Sequence, residues 1–437
     1  MPLTGEQRKA KIDAIKQGKK VGTVKIPYRD KINYEVDVYQ IPWDAIIYNQ
    51  FNDRIGLALK TKLTRIGAKG QTHEYDEKLH ELIDQELWES AIPENKITLV
   101  SMQEGEQNEP GIITADGVVV DGNRRAMIGK RAGKKFYLAG ILDDLYDGNE
   151  EILRDLETQL QFAVESKVDF NPLEKYFKVK THVEKFGKSY SDLAKLMGRK
   201  YTAAFLQKWH EIANLMDEYL DYIQAPGCYD LLLKSGTKNS KENAFIVLHS
   251  KLKGIENGTL NHVDYDYSDL AEDYKVVMFN FIRTEAVANP QDYANYLSNK
   301  KGTGFFLSKD MKDDVIGKVN TIMADPLMNL PSLRDLKDDL ENKTLDDNAI
   351  IKKREEIIRE QTKEKMTDLI NEMKGRNLRT QRKLKPLERI RTAHEELSHI
   401  SEEDMDSLLE SSDKELIEDQ MKEMQKKVNQ IKKSLGM

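Results

Sequence analysis

The residues best suited to chemistry lie in one short segment, Asp121-Gly122-Asn123-Arg124-Arg125. It follows the apolar run Val118 to Val120 and precedes a stretch of helix-forming composition that reaches Ala132. A glycine at such a turn lets the backbone approach a ligand, the free N–H groups at the helix start point toward that ligand, and guanidinium groups bind phosphate oxygens. The segment therefore predicts a polyphosphate site. The plainer alternative is a turn glycine beside two surface arginines.

A predicted β-hairpin positions this segment. Two apolar runs flank Asp116-Gly117, and an Asp-Gly pair between such runs is typical of a tight hairpin turn. After the arginines, Gly133 indicates the end of a helix, and Phe136 to Leu142 predicts the next strand. The predicted local order is strand, glycine turn, arginine-bearing helix and strand.

The chain before the hairpin is predicted to hold short strands and one helix. Tyr34, Val36 and Val38 alternate into a strand that ends at Pro42. Apolar residues between Leu79 and Trp88 recur at helical spacing, and Ile97 to Val100 is a short run typical of a strand. Small strands and a helix therefore open the protein.

From Glu150 onward the pattern is helical, interrupted by Pro- and Gly-containing breaks. Within this part, Ser189 is a good helix N-cap and Gly198 permits a sharp turn, so a helix-turn-helix is predicted with Tyr201 to Ile212 as its second helix. Phe205, Leu206, Trp209 and Ile212 would form its apolar face. The residues left for a DNA groove are Lys200, Tyr201, Thr202, Gln207 and Lys208. A helical hairpin that never contacts DNA is the alternative.

The composition limits the classes of protein to consider. The formal net charge is −7, which excludes a uniformly basic nucleic-acid-coating protein and leaves room for a local basic patch. One cysteine, Cys228, cannot form an internal disulfide, and residues 1–20 form a charged stretch without a signal-peptide core, so a cytoplasmic location is expected. No apolar run approaches the roughly 18 residues of a membrane span. The eight histidines are scattered without metal-ligand spacing.

The segment from Val118 to Gly133 resembles the arginine box of the ParB family, a branch of the ParB/sulfiredoxin fold. Ile41-Pro42-Trp43 with Asn49, Asn52 and Arg54 is similar to that family's opening strand and following loop, and Asp169 to Lys175 looks like the segment that leads to its helix-turn-helix. The resemblance spans about residues 35 to 215. It implies an α+β amino-terminal domain of the ParB/sulfiredoxin type, followed by a predominantly α-helical region with a helix-turn-helix and long carboxy-terminal helices.

The resemblance also implies a function. Gly122, Arg124 and Arg125 would bind the triphosphate of a nucleotide, CTP being favoured, together with Mg²⁺ near the Asn-Pro segment, where Glu165 is the nearest carboxylate. The family's box carries an acidic residue where this chain has Asn123. Since a neutral amide cannot act as a general base, the departure favours binding over hydrolysis. Sulfiredoxin activity on the same fold needs a nucleophilic cysteine beside the arginine box. This chain has none there, so that activity is not expected.

Four parts of the chain follow from these patterns: residues 1–150, a ParB-like nucleotide-binding domain; 151–225, the helix-turn-helix; 226–345, a helical domain; and 346–437, a charged helical tail. The tail has apolar residues at helical spacing from Ile350 to Ile370 and from Leu408 to Leu435, which predicts a coiled coil within the chain or in a homodimer. Its basic run, Lys374 to Arg391, is either a phosphate-binding face or a solvated one.

The leading hypothesis is a nucleotide-gated, DNA-associated protein. The first alternative is an NTPase or nuclease on the ParB fold, of a mobile element or a phage-defence system. The second is an adaptor that keeps the fold and has lost the ligand.

Overall fold

A six-stranded sheet forms the first part of the protein. The computed structural model describes residues 3–29, 31–52, 55–65, 76–162, 172–198, 200–233, 241–258, 269–297, 304, 306, 308–329, 347–399 and 414–436. The strands are β1 Gly22–Tyr28, β2 Lys31–Ile41, β3 Ile47–Tyr48, β4 Gly111–Ile113, β5 Val118–Asp121 and β6 Tyr137–Ile141. Their spatial order is β1-β2-β6-β4-β5-β3. The β4–β6 and β3–β5 pairs are parallel and the other pairs are antiparallel.

Helices cover both faces of this sheet because its strands alternate their buried side chains. The first face packs on α1 Gly5–Lys16, α2 Gly56–Arg65, α3 Glu77–Glu89, α4 Ile92–Glu104 and α5 Asn123–Arg131. The second face packs on α6 Glu150–Phe162. In β5, Val119 belongs to the first apolar cluster, whereas Val118 and Val120 belong to the second. A strand buried on both faces in this way reads as a continuous apolar run.

The predicted hairpin and the helix that follows it are confirmed. β4 and β5 are antiparallel neighbours joined through Asp116-Gly117, and Gly117 has the positive φ of 83° that the turn requires. α5 begins one residue after Gly122 and ends before Gly133, whose φ of 73° is typical of a helix C-terminus.

The strand predicted at Ile97 to Val100 is wrong, because these residues lie in α4. Pro93 stands in the first turn of this helix, where its missing N–H breaks no hydrogen bond. The buried Asn95 side chain ties the helix to α3 by donating to the carbonyls of Leu87 and Trp88, at 3.0 and 2.7 Å. Ile97 is 72% exposed, so the apolar run that suggested a strand is not covered by a sheet.

The remainder of the described chain is helical, and most of its helices share one apolar core. Its helices are α7 Pro172–Glu184, α8 Tyr190–Leu196, α9 Ala203–Tyr222, α10 Glu242–Glu256, α11 Leu270–Thr284, α12 Gln291–Leu297, α13 Lys309–Asn329, α14 Asp347–Ser398 and α15 Lys414–Ser434. Of these, α7 to α14 share the core, which continues without interruption across residue 226, where a separate domain was predicted to begin. Leu57 of α2 belongs to the same cluster and links it to the sheet. Among the described helices, none is long and apolar enough to cross a membrane.

The first half of α14 docks on this core. Ile358, Met366 and Met373 are fully buried, and the Arg283 guanidinium donates two hydrogen bonds to the Glu355 carboxylate, at 2.6 and 2.8 Å. A bidentate arginine–carboxylate ion pair is among the strongest side-chain contacts, and it fixes the orientation of the docked helix. Asn377 is the last buried residue of α14 among those whose side chains are described. The described parts of the predicted tail are therefore helical, and α14 packs within the chain as far as Asn377.

Candidate functional site

Gly122 forms the turn between β5 and α5 in a conformation that favours glycine. Its φ is 95°, in the left-handed region. The buried Tyr137 hydroxyl donates to the Gly122 carbonyl at 3.0 Å. A Cβ at position 122 would lie 2.3 Å from that hydroxyl oxygen, so any side chain would clash there. The glycine is thus required by the turn itself.

Asn123 points into the protein rather than out to a ligand. Its side chain is buried, its Oδ1 accepts from the backbone N–H of Asn49 at 2.8 Å, and its Nδ2 donates to the Val119 carbonyl at 2.9 Å. These two bonds fix the loop that leaves β3 against the end of β5. Asn123 therefore acts as a structural clamp at the start of α5.

Both arginines of the predicted box bind protein groups. Arg124 is half-buried and donates through Nε to Asn95 Oδ1, and burial lowers the pKa of its guanidinium. Arg125 donates to the Pro110 carbonyl at 3.1 Å and to the Glu109 carboxylate at 2.7 Å. Asp121, which completes the predicted segment, ends β5 opposite Ile112. The structure thus brings Asp121 to Arg125 together at the start of α5, with the arginines engaged by neighbouring loops and helices.

A basic cavity lies beside this segment, between the sheet and the helical part. It has a volume of about 570 Å³ and is lined by the residues after β3 and by α2, α6, α7 and α9. Its charged lining residues are Lys60, Arg154, Lys178, Lys180, Lys185, Glu174, Glu184 and Asp217. Five cations thus face three carboxylates, in a chain whose overall charge is negative. We call this space the basic cavity.

Phe51 presents an aromatic ring to the basic cavity between two cations. The Lys185 ammonium lies 5.4 Å from the ring centroid, and the Arg154 guanidinium carbon lies 5.7 Å from it. The Tyr146 ring stacks on Phe51 with a centroid distance of 6.2 Å and an interplanar angle of 16°. Cations near a ring face are attracted by its quadrupole, so these contacts hold two positive charges at the cavity wall.

The cations of the cavity differ in how fully the protein satisfies them. Lys180 donates to Asp217 at 2.6 Å, and Lys178 donates to the Gln161 side chain. Lys60 contacts the Tyr229 hydroxyl at 3.1 Å. Within the part of the chain that the structure describes, Lys185 is exposed and contacts only the rings of Phe51 and Phe186. Lys185 is thus the cation best placed to meet an incoming anion.

The basic cavity and the start of α5 are joined through a short connection. Asn49, which Asn123 holds, is followed directly by Gln50 and Phe51 on the cavity wall. Sequence reasoning did not find Phe51, Arg154 or Lys185. Five lysines between Lys175 and Lys188 were a signal that could have indicated the α7 wall. The predicted magnesium ligand Glu165, together with Arg54, lies outside the described residues.

The predicted helix-turn-helix corresponds to α8 and α9. Ser189 caps α8, Gly198 lies in the turn with a φ of 69°, and the Thr202 hydroxyl caps α9 by accepting from the Phe205 N–H at 3.2 Å. The second helix thus begins two residues later than predicted. Leu206, Trp209 and Ile212 are buried as expected.

Phe205 is an exception to the predicted apolar face. It is 43% exposed and stacks on Tyr201 with a centroid distance of 5.5 Å. Of the predicted DNA-contacting residues, Lys200 and Gln207 are exposed, Lys208 is half-exposed, Thr202 is the cap, and Tyr201 packs between Phe205 and Trp209. The structure places these five residues on and just before the first turns of α9.

No cluster of three or more His, Cys, Asp or Glu side chains suited to a metal ion occurs among the described residues. Of the cavity carboxylates, Asp217 pairs with Lys180, and Glu174 accepts from the Leu57 N–H at 3.3 Å.

Comparisons with known proteins give no relative from which a function could be transferred. The chain matches no protein-family model, no curated protein and no solved structure. The basic cavity and the segment beside it are therefore the features of this chain that bear on its function.

Proposed function

We propose that this protein binds a nucleoside triphosphate in the basic cavity and associates with DNA through α8 and α9. The observation that supports the proposal best is the Phe51 ring, held between Arg154 and Lys185 on the wall of a space of about 570 Å³. A nucleotide combines an aromatic base with a strongly anionic chain, and this wall offers a ring and cations side by side. The resemblance to the ParB family motivates the same ligand, with CTP favoured.

The volume and position of the cavity fit this class of ligand. Small-molecule sites have volumes of roughly 300 to 1,000 Å³ and tend to lie where two parts of a protein meet. The basic cavity is bounded by the sheet domain on one side and by α7 and α9 on the other. A ligand that contacts both walls would stabilise one arrangement of the two parts, and this would couple nucleotide binding to the DNA-associated helices.

The phosphate contacts are assigned first to Lys185, with Arg154, which also pairs with Glu157 at 3.8 Å, beside it. Arg124 and Arg125 already donate to Asn95, Glu109 and the Pro110 carbonyl, so a phosphate would have to displace protein acceptors. Lys185 is exposed and makes no ion pair with a carboxylate of the described residues, so a phosphate would displace no protein acceptor there. Gly122 and Asn123 contribute by holding the loop that carries Phe51.

Calorimetry with CTP, ATP, GTP and UTP in Mg²⁺ tests the proposal. We expect saturable binding of at least one nucleotide, weakened about tenfold or more by Lys185→Glu because an attractive charge becomes repulsive. Lys135→Glu makes the same charge change at an exposed site outside the cavity and serves as the control. Binding that is equal in both variants, or no binding of any nucleotide, would exclude the basic cavity as the site.

DNA association is tested by fluorescence anisotropy with labelled duplexes, with and without the bound nucleotide. Because phosphate contacts dominate affinity, we expect binding to weaken as salt rises and to weaken further in Lys200→Glu. The same Lys135→Glu variant is the control. DNA binding that is unchanged in Lys200→Glu would remove α9 from the proposal and leave the nucleotide site untouched.

One observation favours a second candidate, an adaptor that has lost its ligand. The two arginines of the box are engaged by the protein, as they would be in a fold that no longer binds phosphate. The adaptor hypothesis predicts that no nucleotide raises the melting temperature, since only a ligand that binds the folded state stabilises it. A thermal shift with the four nucleotides distinguishes the two candidates.

A further inference from the structure

The carboxy-terminal helix α15 carries an uninterrupted apolar seam. Its members follow one another at steps of four and three residues: Ile417, Met421, Met424, Val428, Ile431 and Leu435. Met421, Met424, Val428 and Leu435 are 58, 40, 45 and 65% exposed. Alternating steps of three and four define the a and d positions of a coiled coil, so the seam has the spacing of a helix that packs against another helix.

The helix α15 has two ion pairs on its outer face and charged residues beside its seam. On the outer face, Lys422 pairs with Asp419 at 3.5 Å and Lys426 pairs with Glu423 at 3.7 Å. Beside the seam lie Glu418 and Lys432 at e positions and Lys427 at a g position. None of the three makes an ion pair within the described residues. The three charged residues beside the seam are thus left without an internal counter-charge among the described residues.

The second half of α14 is a poor match for this seam. Among the side chains that the structure describes after Asn377, Leu378, Leu387, Ile390 and Leu397 are exposed large apolar ones, and their spacing is irregular. Pro386 removes one backbone hydrogen bond inside that stretch. These residues do not form a continuous a/d pattern, whereas the α15 seam repeats without a gap and can pair with a copy of itself.

We propose that two copies of this chain associate through α15 as an antiparallel coiled coil. Centring the pair between Met424 and Val428 places Met421 against Ile431 of the second copy, Val428 against Met424, and Leu435 against Ile417. All six seam residues are then covered. The inference goes beyond nucleotide binding and does not depend on it.

The flanking charges set the antiparallel direction. In that direction, e positions face e positions and g positions face g positions. Glu418 therefore lies opposite Lys432 of the second copy at both ends of the pair. Lys427 lies opposite Lys427 of the second copy, which is the one repulsive contact. In a parallel pair, Lys427 would face Lys432 of the second copy twice with no compensating attraction. Opposite charges at these positions determine partner orientation in coiled coils. The antiparallel arrangement therefore has the better charge pattern.

Sedimentation of the full chain over a range of concentrations tests the assembly. We expect a reversible dimer that Val428→Glu weakens by at least about tenfold, because the change places a charge in the seam. Asn429→Glu adds the same charge one residue away on the outer face and should leave the dimer intact. Circular dichroism of both variants confirms that the rest of the protein is folded. A monomer at every concentration, or a dimer insensitive to Val428→Glu, would overturn the proposal.

Charge variants of Glu418 and Lys432 test whether the two helices run antiparallel or parallel. In an antiparallel dimer, Lys432→Glu sets two carboxylates against each other and should weaken association, and the swap Glu418→Lys with Lys432→Glu should restore it. In a parallel dimer, Lys432→Glu would instead meet Lys427 and tighten association. A tighter dimer in the single variant would therefore refute the antiparallel arrangement.

Discussion

The start of α5 and the basic cavity are neighbouring cationic regions whose charges are used differently. At the start of α5, Arg124 and Arg125 donate to Asn95, to a carbonyl and to a carboxylate of the same chain. On the cavity wall, Lys185 and Arg154 lie beside the Phe51 ring, and Lys185 faces solvent. The first set of cations holds the protein together, whereas Lys185 of the second set remains accessible to solvent.

This difference shows that residue type alone does not identify a phosphate site. A glycine turn followed by two arginines has the composition for phosphate binding, yet each of its side chains also has a structural partner. We therefore expect changes at the start of α5 to act mainly on the free energy of unfolding, and changes on the cavity wall to act mainly on ligand affinity.

The largest loss of stability is expected from Gly122→Ala. The added Cβ would clash with the Tyr137 hydroxyl and force alanine into the left-handed region, at a cost of about 3 to 4 kcal/mol. Gly133→Ala has the same positive φ and open space around it, so about 1 kcal/mol is expected. Urea unfolding of both variants measures the difference. Equal losses would mean that the Tyr137 contact does not constrain the turn.

The next largest loss of stability is expected from Asn123→Ala. The change leaves the Asn49 N–H and the Val119 carbonyl without their partner in the interior, and we expect a loss of about 2 to 3 kcal/mol. Asn149→Ala removes an exposed hydrogen bond to the Leu145 carbonyl and should cost no more than about 0.5 kcal/mol. If the two variants unfolded at the same urea concentration, Asn123 would not be a clamp.

A pH dependence is expected from His80, which supports the strand before Asn49. Its Nε2 accepts from the Tyr48 N–H at 3.3 Å, and burial, with the charge of Lys130, lowers its pKa to about 4. The unfolded chain takes up this proton below about pH 6.5, before the folded protein does. The stabilisation is therefore complete above pH 6.5 and is lost as the pH falls toward 4, by about 2 kcal/mol at pH 5.

Unfolding of wild type and His80→Gln between pH 5 and 7 measures this contribution. The variant should lose the His80 part of the slope, whereas His394→Gln, at an exposed position on α14, should keep it. An identical slope in wild type and His80→Gln would contradict the assignment.

The smallest effect on stability, and the sharpest contrast between the two regions, is expected from Arg125→Ala set against Lys185→Ala. Arg125→Ala should cost about 1 kcal/mol by freeing the Glu109 loop, with little change in nucleotide affinity. Lys185→Ala should leave the unfolding free energy unchanged and weaken nucleotide binding about fivefold. The reverse result would return the phosphate contacts to the arginines of the box.

The sequence was most informative where local rules decide the structure. The Asp116-Gly117 turn, the glycine before α5 and the cap Ser189 all depend on neighbours within a few residues, and their elements appear as predicted. Local preference failed at Ile97 to Val100, because α4 is positioned by Asn95 and by packing on α5 rather than by its own composition.

The basic cavity could not be predicted by the same means. Its wall combines Phe51, Arg154, Lys185 and Tyr229, which lie far apart in the chain and meet only after the sheet and helices have packed. Phe205 shows that a local spacing pattern can also place a side chain in the core when the folded protein leaves it exposed. A helical spacing placed it on the apolar face, but its side chain is 43% exposed, and the ring stacks on Tyr201.

The first half of α14 has buried side chains and those described in its second half are exposed, so the two halves should open to solvent differently. Up to Asn377 one face of the helix is packed on the core, so we expect its amides to exchange with solvent mainly when that packing opens. The following 21 residues to Ser398, about 30 Å of helix with a proline inside, have side chains that are exposed wherever they are described. An isolated helix of that length is marginal in water. Amide exchange should thus rise sharply near residue 377, within one continuous helix and without a break in its backbone.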